Sequence, residues 1–333
     1  MSISRRNFLT FTAAGAAFVG GESFGPFFGR RAAAAGPVGI GILFPGTTKD
    51  RGWMQSGYEG VQAAKAAHQG DISVSFVENT AMSDYEQALT SLAGKSKLVI
   101  AAGGQCQADT EKVAGRFPNV NFVVIGGARE DTLRPNVAIY DVRQAEVAYL
   151  AGAAAAMLTK SGTISFIGGL EIPPIVNAAT EFGNGAKSIN PSIKYVQAMT
   201  GDFDDVAKAK EAALAAAAGG ADIHYAALTL GMRGLEQAIS EKGGHIIGSY
   251  SDKCGADARY IAFTITGVGF MMETAISETL AGTWKPDKFR GFGLKAGHKA
   301  SGIVVCSATP EIKAKLDQIE RDLIGGKIKT LDA

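Results

Sequence analysis

The chain has 333 residues, 46% hydrophobic and 20% charged, with 43 glycines, 3 cysteines and a formal net charge of +1. That balance is globular and excludes collagen-like, disordered and disulfide-dense classes. A charge this near zero gives no basic surplus for nucleic acid, and past about residue 35 no apolar run approaches the roughly 20 residues that cross a bilayer.

At the N-terminus, Arg5 and Arg6 precede Asn7-Phe8-Leu9 and an apolar stretch through Val19, and Ala32 to Ala35 offer a small-residue cleavage site. This is the plan of a secretion signal over residues 1–35, and the paired arginines resemble the twin-arginine export signal of bacteria. The first cysteine is Cys106, far from the cleavage site, so the expectation is a periplasmic protein without a lipid anchor. Cleavage near Ala35 would remove Arg5, Arg6, Arg30, Arg31 and Glu22 and leave a nearly neutral chain. What remains suffices for two lobes of about 150 residues each.

From residue 37 short apolar runs alternate with Ala-rich segments. The runs predict strands over residues 38–44, 72–77, 98–102, 122–125, 137–140, 163–167, 194–198, 223–227, 245–247, 260–263 and 302–305. Unbroken β-branched runs such as Val123-Val124-Ile125 suit strands covered on both faces. Between them, residues 144–159 place Val147, Leu150, Ala151, Ala154 and Leu158 on one helical face. Residues 206–218 are rich in Ala and Lys and stop at Gly219-Gly220. Strand–helix alternation of this regularity predicts parallel sheets built from right-handed βαβ units, divided between two lobes. Glycines follow several strands, at Gly46, Gly103-Gly104, Gly126-Gly127 and Gly168-Gly169. In open parallel sheets ligands bind beyond the carboxyl ends of strands, so together these loops could line a cleft, although most of the pairs taken singly read as plain turns.

Chemistry-bearing motifs are mostly absent. There is no phosphate loop, no dinucleotide fingerprint after the first strand, no nucleophile elbow and no H-E-x-x-H pair. His68, His224, His245 and His298 are scattered, and each reads as structural or solvated. Cys106, Cys254 and Cys306 have no metal-binding spacing. They allow one disulfide at most, with three separate thiols the expected arrangement. Asp204-Asp205 and Glu130-Asp131 lie in polar, turn-like segments that suit capping or solvation. The remaining candidate is the loop after the first strand, where Asp50 and Trp53 flank Arg51-Gly52. A carboxylate and an indole there could hold a planar heteroaromatic ligand. They could equally be a helix-capping aspartate and a core tryptophan.

The segment Lys49-Asp50-Arg51-Gly52-Trp53-Met54-Gln55-Ser56-Gly57-Tyr58-Glu59-Gly60 resembles the D-x-[GS]-[FW]-N-x-x-x-x-x-G signature of the basic membrane protein, or PnrA-like, family of ABC-transporter solute-binding proteins. Further similarities follow in order: Ala148-Tyr149-Leu150-Ala151-Gly152, the stretch from Ile167-Gly168-Gly169 to Pro173, Ile247-Gly248-Ser249-Tyr250-Ser251-Asp252, and Phe292-Gly293-Leu294-Lys295-Ala296-Gly297. The resemblance implies a type I periplasmic-binding fold, two α/β lobes with doubly wound parallel sheets and three crossovers, closing on a ligand between them. Lobe 1 would comprise residues 36–141 and 264–290, and lobe 2 residues 142–263 and 291–333.

Carried across residue by residue, the resemblance implies that Asp50 hydrogen-bonds a base, Trp53 stacks on it, and Asp252 accepts ribose hydroxyls or a second base edge. Gln105 and Asp109 fall in a further contact region. Thr229, in the loop that stands where the family has a Gly-rich turn, completes the implied set. The chain also departs from the pattern. Met54 replaces an Asn, Tyr250 replaces an Asp, and Phe263-Thr264-Ile265-Thr266 lacks the expected Lys. Lost sugar partners favour a nucleobase over a nucleoside. The expected protein is therefore a monomeric, non-enzymatic periplasmic receptor for a purine base, nucleoside or similar flat heterocycle. It needs no cofactor or metal, does not bind nucleic acid, and serves a permease and an ATPase at the inner membrane. A ligand-sensing receptor for a membrane signalling protein would use the same cleft. A nucleoside-acting enzyme would need an acid/base or metal set that the sequence does not display.

Overall fold

The computed structural model describes residues 36–250 and 252–331. The signal segment expected over residues 1–35 lies outside the described residues. Two six-stranded sheets account for the architecture. The first is made from β1 (Val38–Leu43), β2 (Ile72–Val77), β3 (Leu98–Ala101), β4 (Asn121–Ile125), β5 (Val137–Asp141) and β11 (Arg290–Gly291), in the order β11-β5-β4-β3-β1-β2. The second holds β6 (Thr163–Gly168), β7 (Lys194–Met199), β8 (Ile223–Ala227), β9 (His245–Ser249), β10 (Tyr260–Thr266) and β12 (Ser301–Val305), in the order β12-β10-β9-β8-β6-β7. Every pairing is parallel except β10 with β12.

The central strands β3 and β5 are buried at every residue, as continuous apolar runs covered on both faces must be. In the first lobe, α1 (Trp53–Ala67) and α8 (Val268–Ala281) cover one face, and α2 (Tyr85–Ala93) and α3 (Gln107–Ala114) the other. In the second, α4 (Gln144–Leu158) and α5 (Pro173–Ile189) form one layer, and α6 (Val206–Ala218) and α7 (Met232–Lys242) the other. The last helix, α9 (Pro310–Ile324), packs Leu316, Ile319 and Leu323 on α4. The crossing of α4 and α5 is so close that a Cβ on Gly152 would lie 1.9 Å from the Phe182 carbonyl oxygen, and one on Gly185 as near that of Tyr149. These glycines are what let the two backbones meet.

All the sequence-derived strands are present within a few residues of their expected ends. The twelfth, β11, was not legible, being the dipeptide Arg290-Gly291 pinned to Tyr140 and Asp141. The chain passes between sheets after β5, at Gly267 after β10, and after β11. Because β10 continues in the second sheet to Thr266, residues 264–266 sit with the second lobe.

Two of these crossings are tied together. Arg143 adopts a left-handed backbone (φ 46°), its N–H donates to Asp141 Oδ2 (2.9 Å) and its guanidinium to Glu146 Oε1 (3.0 Å). The other oxygen of Glu146 accepts from the Leu294 N–H (2.9 Å), and Phe292 N–H donates to the Asp141 carbonyl (2.7 Å).

One sequence expectation is corrected. Cys254 and Cys306 form a disulfide, with Cα atoms 5.2 Å apart, and Cys106 is the free, buried thiol. Spacing alone gave no pairing, because the partners meet only once β12 lies antiparallel on β10. The bridge closes a loop with a sequence separation of 52 residues, for which chain entropy gives a stabilisation of about 4 kcal/mol. Replacing both cysteines with alanine should therefore lower the urea midpoint and cost about 2–4 kcal/mol, with no change in the two-sheet circular dichroism spectrum.

The second sheet also buries an imidazole. His224 is fully enclosed on β8, with Nδ1 2.7 Å from the Ser165 hydroxyl, and burial holds its pKa down, from 6.5 to about 4. The folded value lies below the unfolded one. Stability from this group is thus complete above pH 6.5 and is lost as the pH falls toward 4, by at most about 3 kcal/mol. A His224→Gln variant should lose less stability than the wild type between pH 7 and pH 4 in urea titrations at each pH.

Candidate functional site

The carboxyl end of β1 leads through Phe44-Pro45-Gly46 into the loop that carries Asp50 and Trp53. The Thr48 N–H and hydroxyl both donate to Glu78 Oε2, at 2.6 and 2.7 Å, anchoring this loop to the residue after β2. Asp50 is buried, and its carboxylate accepts from the N–H groups of Gly52 (2.8 Å), Met54 (3.1 Å) and Gln55 (3.0 Å). It satisfies the first-turn amides of α1, which no helical carbonyl can reach. Burial raises its pKa, partly offset by those three amide bonds.

With the first turn fixed, Trp53 points into the gap between the sheets. Its indole N–H donates to the Ala102 carbonyl at the end of β3 (2.7 Å). One edge lies against Gly126, whose positive φ of 75° and missing side chain make the slot, since a Cβ there would sit 2.9 Å from the ring. From the second lobe, Tyr250 meets the indole edge to face, with ring centroids 6.2 Å apart at 83°.

These aromatics line a chamber between the strand ends of the two sheets. Ala102, Gly104 and Gly126 come from the first lobe, and Ile172, Ile175 and Phe203 from the second. Gln105, Gln144 and Thr229 supply its polar side chains, and none of the described side chains lining it is charged. A lining of this kind offers nothing to compensate the desolvation of an isolated ion.

Of the residues singled out in the sequence, Trp53, Gln105 and Thr229 line this chamber. Thr229 also donates its hydroxyl to Asp204 Oδ1, which accepts the Leu230 N–H as well (3.1 Å). Asp50 lies outside that lining, in an adjoining polar pocket with Arg233, Glu236 and Lys253. Asp109 sits in the first turn of α3 and does not line the chamber. Asp252 is exposed, lines neither the chamber nor the adjoining pocket, and its carboxylate accepts the Cys254 N–H (2.8 Å). Asp205 caps α6 by accepting the Lys208 N–H (2.9 Å), as its turn-like setting suggested.

Sequence reasoning missed Phe203, Ile172, Ile175 and Gln144. Phe203 stands between Asp202 and Asp204, where nothing in the pattern separates a cleft residue from a loop residue. The signal that could have found it is Gly169, whose missing side chain is the space Phe203 fills.

Two α/β lobes meeting at the carboxyl ends of their strands, with an uncharged aromatic chamber between them, define a two-lobed solute receptor of the type I periplasmic-binding class. The model of the PnrA-like ABC transporter substrate-binding proteins matches residues 38–312, and the chain belongs to this family. Among curated relatives, the nucleoside-binding protein BmpA of an ABC transporter in Lactococcus lactis is 28% identical over 300 residues, 84% of each chain. A purine-binding protein of Brucella abortus is 28% identical over 282 residues, 82% of this chain and 77% of its own. Among solved structures, an ABC-transporter solute-binding protein of Aeropyrum pernix superposes with a TM-score of 0.78 at 22% identity, covering 89% of this chain and 94% of that one. Membership makes the chain an ABC-transporter substrate-binding protein and not an enzyme.

The hydrogen bonds of Asp50 give a direct test of its role. Asp50→Asn removes one acceptor and the charge beside the helix N-terminus, and should cost about 1 kcal/mol of stability while ligand affinity changes less than threefold. A tenfold loss of affinity with an unchanged melting temperature would instead place the carboxylate on the ligand.

Proposed function

We propose that this protein is the periplasmic binding component of an ABC importer and captures a free purine base, or a flat heterocycle of like size, between its closing lobes. The observation that carries the reading is the Trp53 indole, held in its slot by the Ala102 carbonyl and exposed to a chamber without charges. A ring lying on the indole gains stacking and burial, and its N–H and carbonyl edges can meet Gln105, Gln144 and Thr229. Asp50 serves by fixing the turn that aims Trp53. The exposed position of Asp252 and the aromatic at 250 leave few partners for sugar hydroxyls beside the ring, which favours a base over a nucleoside. Relatives that carry nucleoside-binding and purine-binding names support the ligand class.

The paired arginines of the N-terminal segment support export, and the Cys254–Cys306 bridge suits an oxidising compartment. Ligand favours the closed state because only that state puts both walls on the ring, and the closed form is what a permease would recognise. Micromolar affinity corresponds to about −8 kcal/mol.

Calorimetry with adenine, hypoxanthine and guanine should give micromolar binding, and glucose and leucine none. Trp53→Ala should weaken binding more than tenfold, and Trp53→Phe by less, because a ring remains. A protein that ignores the bases and binds the sugar or the amino acid contradicts the proposal.

A further inference from the structure

We infer that Tyr250 sets ligand specificity by walling the aromatic chamber off from the polar pocket beside it, so that the protein takes a free ring and excludes the same ring carrying a sugar. This rests on the reading of the chamber as a base site. The two spaces adjoin, and Tyr250, Leu228 and Thr229 line both. On the far side lie polar groups, Ser249, Lys253 and the carboxylates of Asp50 and Glu236. A glycosylated base seated on Trp53 would find partners for its sugar there, and the phenol ring stands in the way.

Tyr250 is held in that position from both lobes. Its N–H donates to the Thr264 carbonyl (3.2 Å), while its ring crosses to pack edge-on against Trp53 and beside Gly52, where an added Cβ would come within 3.6 Å of it. Its backbone is left-handed (φ 69°), a costly conformation for a side chain of this size. Strain retained at a cleft residue points to what the side chain does there, since glycine would take the same backbone at no cost. With the ring in place, a sugar hydroxyl pressed against it would be buried without a partner, the kind of mismatch that discriminates strongly.

The test is calorimetry with matched pairs, adenine with adenosine and hypoxanthine with inosine, on the wild type and on Tyr250→Gly, a change the left-handed backbone accommodates. The wild type is expected to bind each base at least tenfold more tightly than its nucleoside. Tyr250→Gly should narrow that ratio tenfold or more, chiefly by raising nucleoside affinity. Tyr250→Phe, which keeps the ring without the hydroxyl, is expected to go on excluding nucleosides. If Tyr250→Gly does not melt cooperatively, Tyr250→Asn replaces it, since asparagine also tolerates this backbone. The inference is overturned if the wild type binds nucleosides as tightly as bases, or if opening the wall brings no gain for them. A wild type that binds neither member of any pair overturns the base-site reading itself, and this inference with it.

Discussion

The hydrogen bond from the Trp53 indole to the Ala102 carbonyl is the constraint around which the cleft is arranged. A buried indole usually pairs its N–H, and the partner of Trp53 is the first carbonyl beyond β3, at the strand ends where the lobes face each other. Meeting it lays the ring across Gly126, which is why that turn has a left-handed glycine. The same ring then gives Tyr250 a surface to pack on from the opposite lobe. The helix that carries Trp53 is held at its first turn by Asp50, so a buried charge acts on the cleft through backbone amides.

The layering of the molecule was legible because burial on both faces leaves a plain signature. Runs such as Leu98-Val99-Ile100-Ala101 have no polar position to spend on solvent, and they became the middle of a sheet. The chamber was only partly legible. Trp53 stood out as a large ring beside a glycine, but whether the neighbouring aspartate addressed a ligand or the helix depended on amide positions that spacing does not reveal. Asp252, picked out by motif position, lies exposed with its carboxylate accepting the Cys254 N–H. The disulfide was illegible for a similar reason, since strand pairing alone brings its partners together.

Close helix crossings complete the frame. Gly152 and Gly185 let α4 and α5 touch at the backbone, and Gly60 and Gly269 do the same for α1 and α8 in the other lobe. In each lobe, a helix next to a crossover is thereby locked to the helix packed beside it. The connecting segments between the lobes carry a different kind of tie. There the ion pair of Arg143 with Glu146, and the Leu294 amide on that same carboxylate, join two connections into one joint.

The arrangement of the three thiols bears on how the chain matures. Cys106 is sealed in the first lobe, and its burial raises the thiol pKa, so hardly any thiolate forms there to attack a partner. Cys254 and Cys306 lie together at the margin of the second sheet. A chain that folds before it meets an oxidant thus presents a single reactive pair. Correct bridging follows from shape alone, without an isomerase to sort alternatives.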